Sequence, residues 1–377
     1  TDEKVKIGSL DTTSDFLEKK LVAGAGIILN TLNAGGNEQI EVVTTGQSLL
    51  IENTVYVSKN GNDGTGARNN MSKPFLTIAG ANTVALVGDC VYVYAGSYTE
   101  TGDTFIDRVY YNLETNAVVT NTGTSCVSDD GVSSKLIHIF GNGQLVCSGG
   151  QCVSLLVSTA YIECFSMEGI GGMLLGEYCN IKVYQTITSQ NGIGIDLRTN
   201  VRGSIEFDTL KVTGDFSGIK SSSNVTTDLL IKGRTMSAEP SKGNGIGFEL
   251  ASTGTGITKF EIGTYSQFVG TELLCSISSG NYYFLNSTFN QATGNAGFRF
   301  NNCLVDFVNC TIFQSVTPNF NLQLLGTSKV NLINSYLNCL ANQNVLMNDE
   351  STLNIENSVL KTDSVVPSAG QNINLNG

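Results

Sequence analysis

Two carboxylates, Glu206 and Asp208, form the strongest enzymatic constellation in the chain. They lie two residues apart in the alternating stretch Ile205-Glu206-Phe207-Asp208. On a β-strand both point outward, about 7 Å apart. That separation suits an inverting glycosidase, whose acid and base must leave room for a water. Phe165 and Tyr184 precede Asp208 in the same outward column of a coiled chain, and aromatic rings offer apolar faces to sugars. A structural account competes. Glu163, Lys182, Glu206, Asp208, Lys232 and Glu261 mix both signs, and opposite charges on adjacent strands stabilise each other. On that account the pair belongs to a salt-bridge ladder, and the chain leans away from enzyme activity.

Other chemistry is sparse. The single histidine, His138, is expected on the surface beside Glu163, with no Ser or Cys motif to activate. No Gly-x-Ser-x-Gly, phosphate loop or metal constellation occurs, so no cofactor and no metal are expected. Residues 60–66 read as a turn rather than an ion loop, because no acidic partner recurs at ligand spacing. Asp129-Asp130-Gly131 reads the same way. The ten cysteines show no Cys-x-x-Cys pair and no zinc spacing. They read as reduced packing thiols, small hydrophobes that imply assembly in a reducing cytosol.

Composition bounds the partners. The 377 residues carry a net charge of -12, and only 14% are charged. The acidic balance argues against nucleic acid and against anionic membrane surfaces. No apolar run approaches a membrane span, so no membrane insertion is expected. The polar opening Thr1-Asp2-Glu3-Lys4 does not read as a signal peptide.

The elements that must position these groups are written in a repeat. Asn286, Asn309, Asn334 and Asn357 stand 23, 25 and 23 residues apart. Each is followed by Ser or Cys, and the residues two and four before it are apolar. The same frame runs back through Ile137/Ile139, Ile162/Cys164, Ile181/Val183, Ile205/Phe207, Leu229/Ile231 and Phe260/Ile262. Period-two alternation means one face in and one face out. A repeat of this length means a solenoid, and it is too short for crossover helices. The expected fold is all-β, a right-handed single-stranded parallel β-helix. Second strands are expected at 192–197, 245–250, 297–300, 322–325, 345–347 and 373–375, the last closing the final coil.

Two features of the repeat carry further expectations. The asparagines tolerate the left-handed backbone of a tight turn. Turned inward, their amides would bond from coil to coil as a structural ladder. Asn286 and Asn309 also fit the glycosylation pattern, which an inward amide could not serve. The outward residues Leu285, Val308 and Ile333 recur on successive coils and form an apolar stripe. Such a stripe marks a contact, here between subunits of a homotrimer. The final strand, 371–377, would expose core and backbone edges, so that end is expected to be covered.

The chain divides at the sequence level into a module at 1–53, a β-helix entry at 54–100 and coils at 101–377. The module holds a helix at 14–20 capped by Ser14, then strands at 26–31 and 39–43. So small an apolar content suggests a core completed by oligomerisation. In the entry, 73–87 reads as an amphipathic helix with Phe75, Ile78, Ala81 and Val84 or Ala85 on one face.

Two resemblances complete the reading. The string DTTSDFLEKKLVAGAGIIL…NAGGNEQIEV, within residues 4–43, resembles a segment of bacteriophage tail fibres and other phage virion proteins. VYVSKNGNDGTG (55–66), KPFLTIAGA (73–81) and GDCVYVYAGSYTE (88–100) resemble the entry to pectin-lyase-like β-helices. The resemblances imply a virion protein, assembled in the host cytoplasm, attached through its N-terminal module to other tail or capsid proteins. They imply a fibre or spike that meets a host surface glycan or receptor. A polysaccharide depolymerase tailspike, hydrolase or lyase, and a capsid or head decoration fibre are the alternatives.

Overall fold

The computed structural model describes residues 27–32, 39–44, 53–129, 131–198, 200–213, 217–221, 228–239, 246–251, 257–267, 271–291, 294–314, 320–338, 344–362, 364–367 and 372–376. The chain forms two compact units, Thr1–Glu52 and Asn53–Gly377. In the first, strands Ile27–Leu32 and Gln39–Thr44 pair antiparallel, with Ile27 opposite Thr44 and Leu32 opposite Gln39. The helix expected at 14–20 lies outside the described residues.

The second unit is a right-handed parallel β-helix built of three sheets. The first sheet begins with Thr54–Val57, Cys90–Val93, Tyr110–Leu113, Leu136–Gly141 and Thr159–Cys164, each parallel to the next. It continues through the leading halves of Tyr178–Ser189, Arg202–Thr213, Asp228–Glu239 and Ile257–Gln267. It ends with Gly280–Leu285, Cys303–Val308, Lys329–Ile333, Thr352–Glu356 and Asn372–Asn376. The second sheet follows directly after the corner, from Gly96–Glu100 to Val359–Lys361. The third contains Ile195–Leu197, Ile246–Leu250, Gly294–Asn301, Phe320–Leu325 and Asn344–Met347. The sequence pattern anticipated the first and third sheets but not the second.

Inward residues stack in register. Ile162, Ile181, Ile205, Ile231, Phe260, Phe284, Phe307 and Leu332 form one unbroken buried column. Phe260 stacks on Phe284 with centroids 5.0 Å apart and planes at 16°, and Phe284 on Phe307 at 5.0 Å and 12°. Several partners differ from the expected frame by two residues. Ile162 pairs with Ile139 rather than Ile137, Ile205 with Ile231 rather than Leu229, and Phe260 with Phe284 rather than Tyr282. A slip of two keeps every side chain on its face, so the burial pattern survives. The cause is small inward residues that an apolar pattern overlooks. Gly233 faces Phe207, and a Cβ at Gly233 would come within 2.1 Å of that ring.

The corner after the first sheet also differs from expectation. Asn286, Asn309, Asn334 and Asn357 do adopt the left-handed backbone, with φ of 50°, 54°, 48° and 46°. All four are nevertheless exposed, not inward. One amide bond joins two of them, Asn309 Nδ2 to Asn286 Oδ1 at 3.1 Å. The buried ladder belongs to the next residue, Ser287, Cys310 and Ser335. Ser287 Oγ accepts from Ile262 N at 3.1 Å, Ser335 Oγ from Cys310 N at 3.0 Å, and Ser358 Oγ from Ser335 N at 2.8 Å. A left-handed residue breaks period-two alternation, so its successor turns inward.

Asn372–Asn376 corrects a second expectation. It lies in the first sheet, with Ile373 beside Leu353 and Leu375 beside Ile355, and so opens another coil. All five residues are exposed, Leu375 by 74%.

The entry helix is short, Ile78–Asn82, capped by Thr77, whose side chain accepts from Gly80 N. The expected start at 73 fails because Phe75 extends the sheet instead. Its N–H donates to Tyr56 O and its carbonyl accepts from Ser58 N, both at 2.8 Å. Ile78 and Ala81 are buried, and Val84 and Ala85 pack against the core. Within 60–66, Asp63 accepts from Leu76 N at 2.8 Å and Thr77 N at 3.0 Å, which ties the turn to the helix. The buried Glu100 carboxylate accepts from Ile78 N at 2.8 Å and Ala79 N at 3.2 Å. The nine described cysteines are buried and free. Burial pushes the Cys90 and Cys310 thiols up to about 11.

Candidate functional site

Glu163, Lys182, Glu206, Lys232 and Glu261 occupy one outward column of the first sheet, in register from coil to coil. Beside it the ladder between Tyr178–Ser189 and Arg202–Thr213 shifts after Val183, where Thr186 pairs with Thr209. Tyr184 and Gln185 therefore both face the single residue Asp208, a bulge that leaves two consecutive residues outward. The result is a shallow depression of about 350 Å³. Lys182, Tyr184, Glu206, Asp208, Lys232 and Arg234 surround it, over Val183, Phe207 and Gly233.

Its groups are not equivalent. Asp208 is held by Arg234 in a two-pronged ion pair, Nε to Oδ1 at 2.5 Å and Nη2 to Oδ2 at 2.8 Å. Thr209 Oγ1 adds a hydrogen bond at 3.2 Å. The Arg234 hydrogen bonds hold the Asp208 carboxyl below the usual carboxylate range. A general acid needs the opposite displacement. Lys232 pairs with Glu261 at 3.5 Å. Lys182 Nζ sits over the Tyr184 ring, 4.9 Å from its centroid, and the Tyr184 hydroxyl donates to Glu163. Among the described residues, neither Lys182 nor Glu206 closes a side-chain ion pair or hydrogen bond. The expected salt-bridge ladder is thus a charge-alternating column with one closed rung.

The structure brings Tyr184, Glu206 and Asp208 together. Phe165 stands one coil earlier, half-buried, its carbonyl accepting from Gln185 N at 2.8 Å, and does not line the depression. His138 does not meet Glu163. It packs between Tyr110 and Tyr161, with centroids 4.8 and 4.9 Å away, and burial lowers its pKa. Lys182, Lys232 and Arg234 were legible as charges, but their unequal pairing depends on side-chain reach, which no spacing reveals.

The stripe of Leu285, Val308 and Ile333 is in register on successive coils, continuing the charged column, and each residue is half-buried. A coil-to-coil amide row does exist, in the neighbouring outward column. Asn331 Nδ2 donates to Asp306 at 2.5 Å, Asn354 to Asn331 at 2.5 Å and Asn374 to Asn354 at 2.7 Å.

Among the described residues no group of three or more His, Cys, Asp or Glu could hold a metal ion. No helix among them is long and apolar enough to cross a membrane. Comparison with protein-family models, with characterised proteins and with solved structures finds no match to this chain.

Proposed function

We propose that the chain is a non-catalytic recognition fibre, a subunit of a phage tail fibre or spike that presents its β-helix to a host surface. The observation that carries this reading is the Arg234–Asp208 pair. It bars Asp208 from the general-acid role and, by engaging both carboxylate oxygens, leaves it a weakened base. The β-helix is compatible with such a fibre, and the resemblance of residues 4–43 to phage virion segments supports the assignment. In this reading the N-terminal module joins other virion proteins. Three copies meet along Leu285, Val308 and Ile333. The second reading, a depolymerase tailspike, draws on Glu206, which is unpaired beside Tyr184.

Incubation with host capsule, with separate assays of bound protein and released reducing ends, tests the two. Binding without release is the expected result. Release that disappears in both Glu206→Gln and Asp208→Asn would establish the depolymerase instead.

A further inference from the structure

We propose that the depression beside Tyr184 is a subsite for an uncharged sugar unit, with Lys182 as hydroxyl donor and Glu206 as hydroxyl acceptor. This rests on the fibre reading and names what the fibre would hold.

The charged groups around the depression divide into paired and unpaired ones. Arg234 neutralises Asp208 at 2.5 Å, and Lys232 neutralises Glu261 at 3.5 Å. Those pairs are closed, and their groups have little to offer a ligand. Lys182 and Glu206 are register neighbours of opposite sign, yet they do not close on each other. The Lys182 ammonium is drawn instead over the Tyr184 ring. An ammonium has three donors and a carboxylate accepts through two oxygens. Each sugar hydroxyl both donates and accepts, so one free donor and one free acceptor on adjacent rungs can serve neighbouring hydroxyls. The Tyr184 ring, 42% exposed, supplies the apolar surface on which the C–H face of a sugar ring rests. Its hydroxyl is anchored on Glu163, which fixes the ring without help from a ligand. The volume, about 350 Å³, lies at the small end of ligand sites.

The charge balance selects the class of sugar. Lys182, Lys232 and Arg234 meet Glu206, Asp208, Glu261 through Lys232, and Glu163 through Tyr184, so three cations face four carboxylates and the surroundings lean acidic. An acidic unit would gain Lys182 but face Glu206, on a chain whose net charge is -12. A neutral unit meets neither penalty.

The test is titration calorimetry of the full chain with hexasaccharides of glucose, galactose and mannose, and with hexagalacturonate as the acidic probe. At least one neutral probe should bind with a Kd near the millimolar range, and Tyr184→Ala should weaken it about tenfold or more. Glu206→Gln, which keeps the shape and loses the charge, should weaken the same probe. Both variants face outward and should melt as the wild type does. Three results overturn the proposal: no neutral probe binds, Tyr184→Ala binds as the wild type does, or hexagalacturonate binds tighter than every neutral probe. Whole-cell binding separates the two levels. Protein that binds host cells but no neutral sugar removes the subsite and leaves the fibre. Protein that binds the sugar through Tyr184 but no cells keeps the subsite and removes the fibre.

Discussion

Ser335 is the most informative single position in the corner. Its Oγ accepts from the buried Cys310 N at 3.0 Å and lies 3.0 Å from Phe307 O and 2.9 Å from Ile333 O. Ser335→Ala leaves the Cys310 amide in the core with no acceptor and no path for water. An orphaned buried donor costs about 1–3 kcal/mol. The small volume lost adds little, since Ala fits wherever Ser fits. Ser335→Cys should be milder, because Cys310 itself holds the equivalent place one coil earlier, its Sγ 3.2 Å from Phe284 O. Urea denaturation followed by far-ultraviolet circular dichroism reads the difference. Amide hydrogen exchange at Cys310 localises it, with faster exchange in Ser335→Ala than in Ser335→Cys. If Ser335→Ala unfolds at the wild-type midpoint and Cys310 stays protected, the buried ladder does not support the corner.

The remaining predictions probe other layers. Asn334→Gly should be nearly neutral, because glycine accepts φ of 48°, whereas Asn334→Leu should cost about 1–2 kcal/mol; equal midpoints for the two would deny the left-handed turn. Asn331→Leu breaks bonds to Asp306 and Asn354 and should cost a comparable amount, about 0.5–1.5 kcal/mol for each bond. Burial raises the Glu100 carboxyl above its ordinary 4.5, so its contribution is full below pH 4.5 and is lost as pH rises through the raised value. The advantage of wild type over Glu100→Gln should therefore shrink on going from pH 4.5 to neutrality, and parallel stability profiles would contradict this. The nine described cysteines should resist iodoacetamide in the native protein and react in denaturant, as read by mass spectrometry; rapid native labelling of Cys126 or Cys152 would show that the core opens.

Much of the coil was legible because inward positions must be apolar wherever strands stack. Ile181, Ile205, Phe284 and Phe307 announce themselves. The register between coils was less legible, because Ala160, Gly203, Gly233 and Thr258 also point inward and carry no hydrophobic signal. The second sheet was missed because strands such as Tyr178–Ser189 bend from one sheet into the next without Gly or Pro punctuation. The asparagines were placed on the wrong side of the wall by carrying alternation through a residue whose backbone reverses it. At the candidate site, the residue types and the sign alternation were readable. The pairing was not, because it turns on side-chain reach: Arg234 grasps Asp208 across one coil, while Lys182 leans onto Tyr184.

Stacking by identical register has a mechanical and an evolutionary consequence. In the region of the four asparagines each coil bonds only to the coil before and the coil after. The corner at Asn286 is superimposable in kind on the corner at Asn309, so the 23 residues between those points behave as a removable segment. Excising them would set Leu285 directly against the coil that now follows Asn309 and shorten the rod by one strand spacing, about 4.8 Å. The length of the β-helix then becomes a quantity that duplication and deletion of coils can tune in fixed steps, while the depression near Tyr184, several coils away, keeps its geometry.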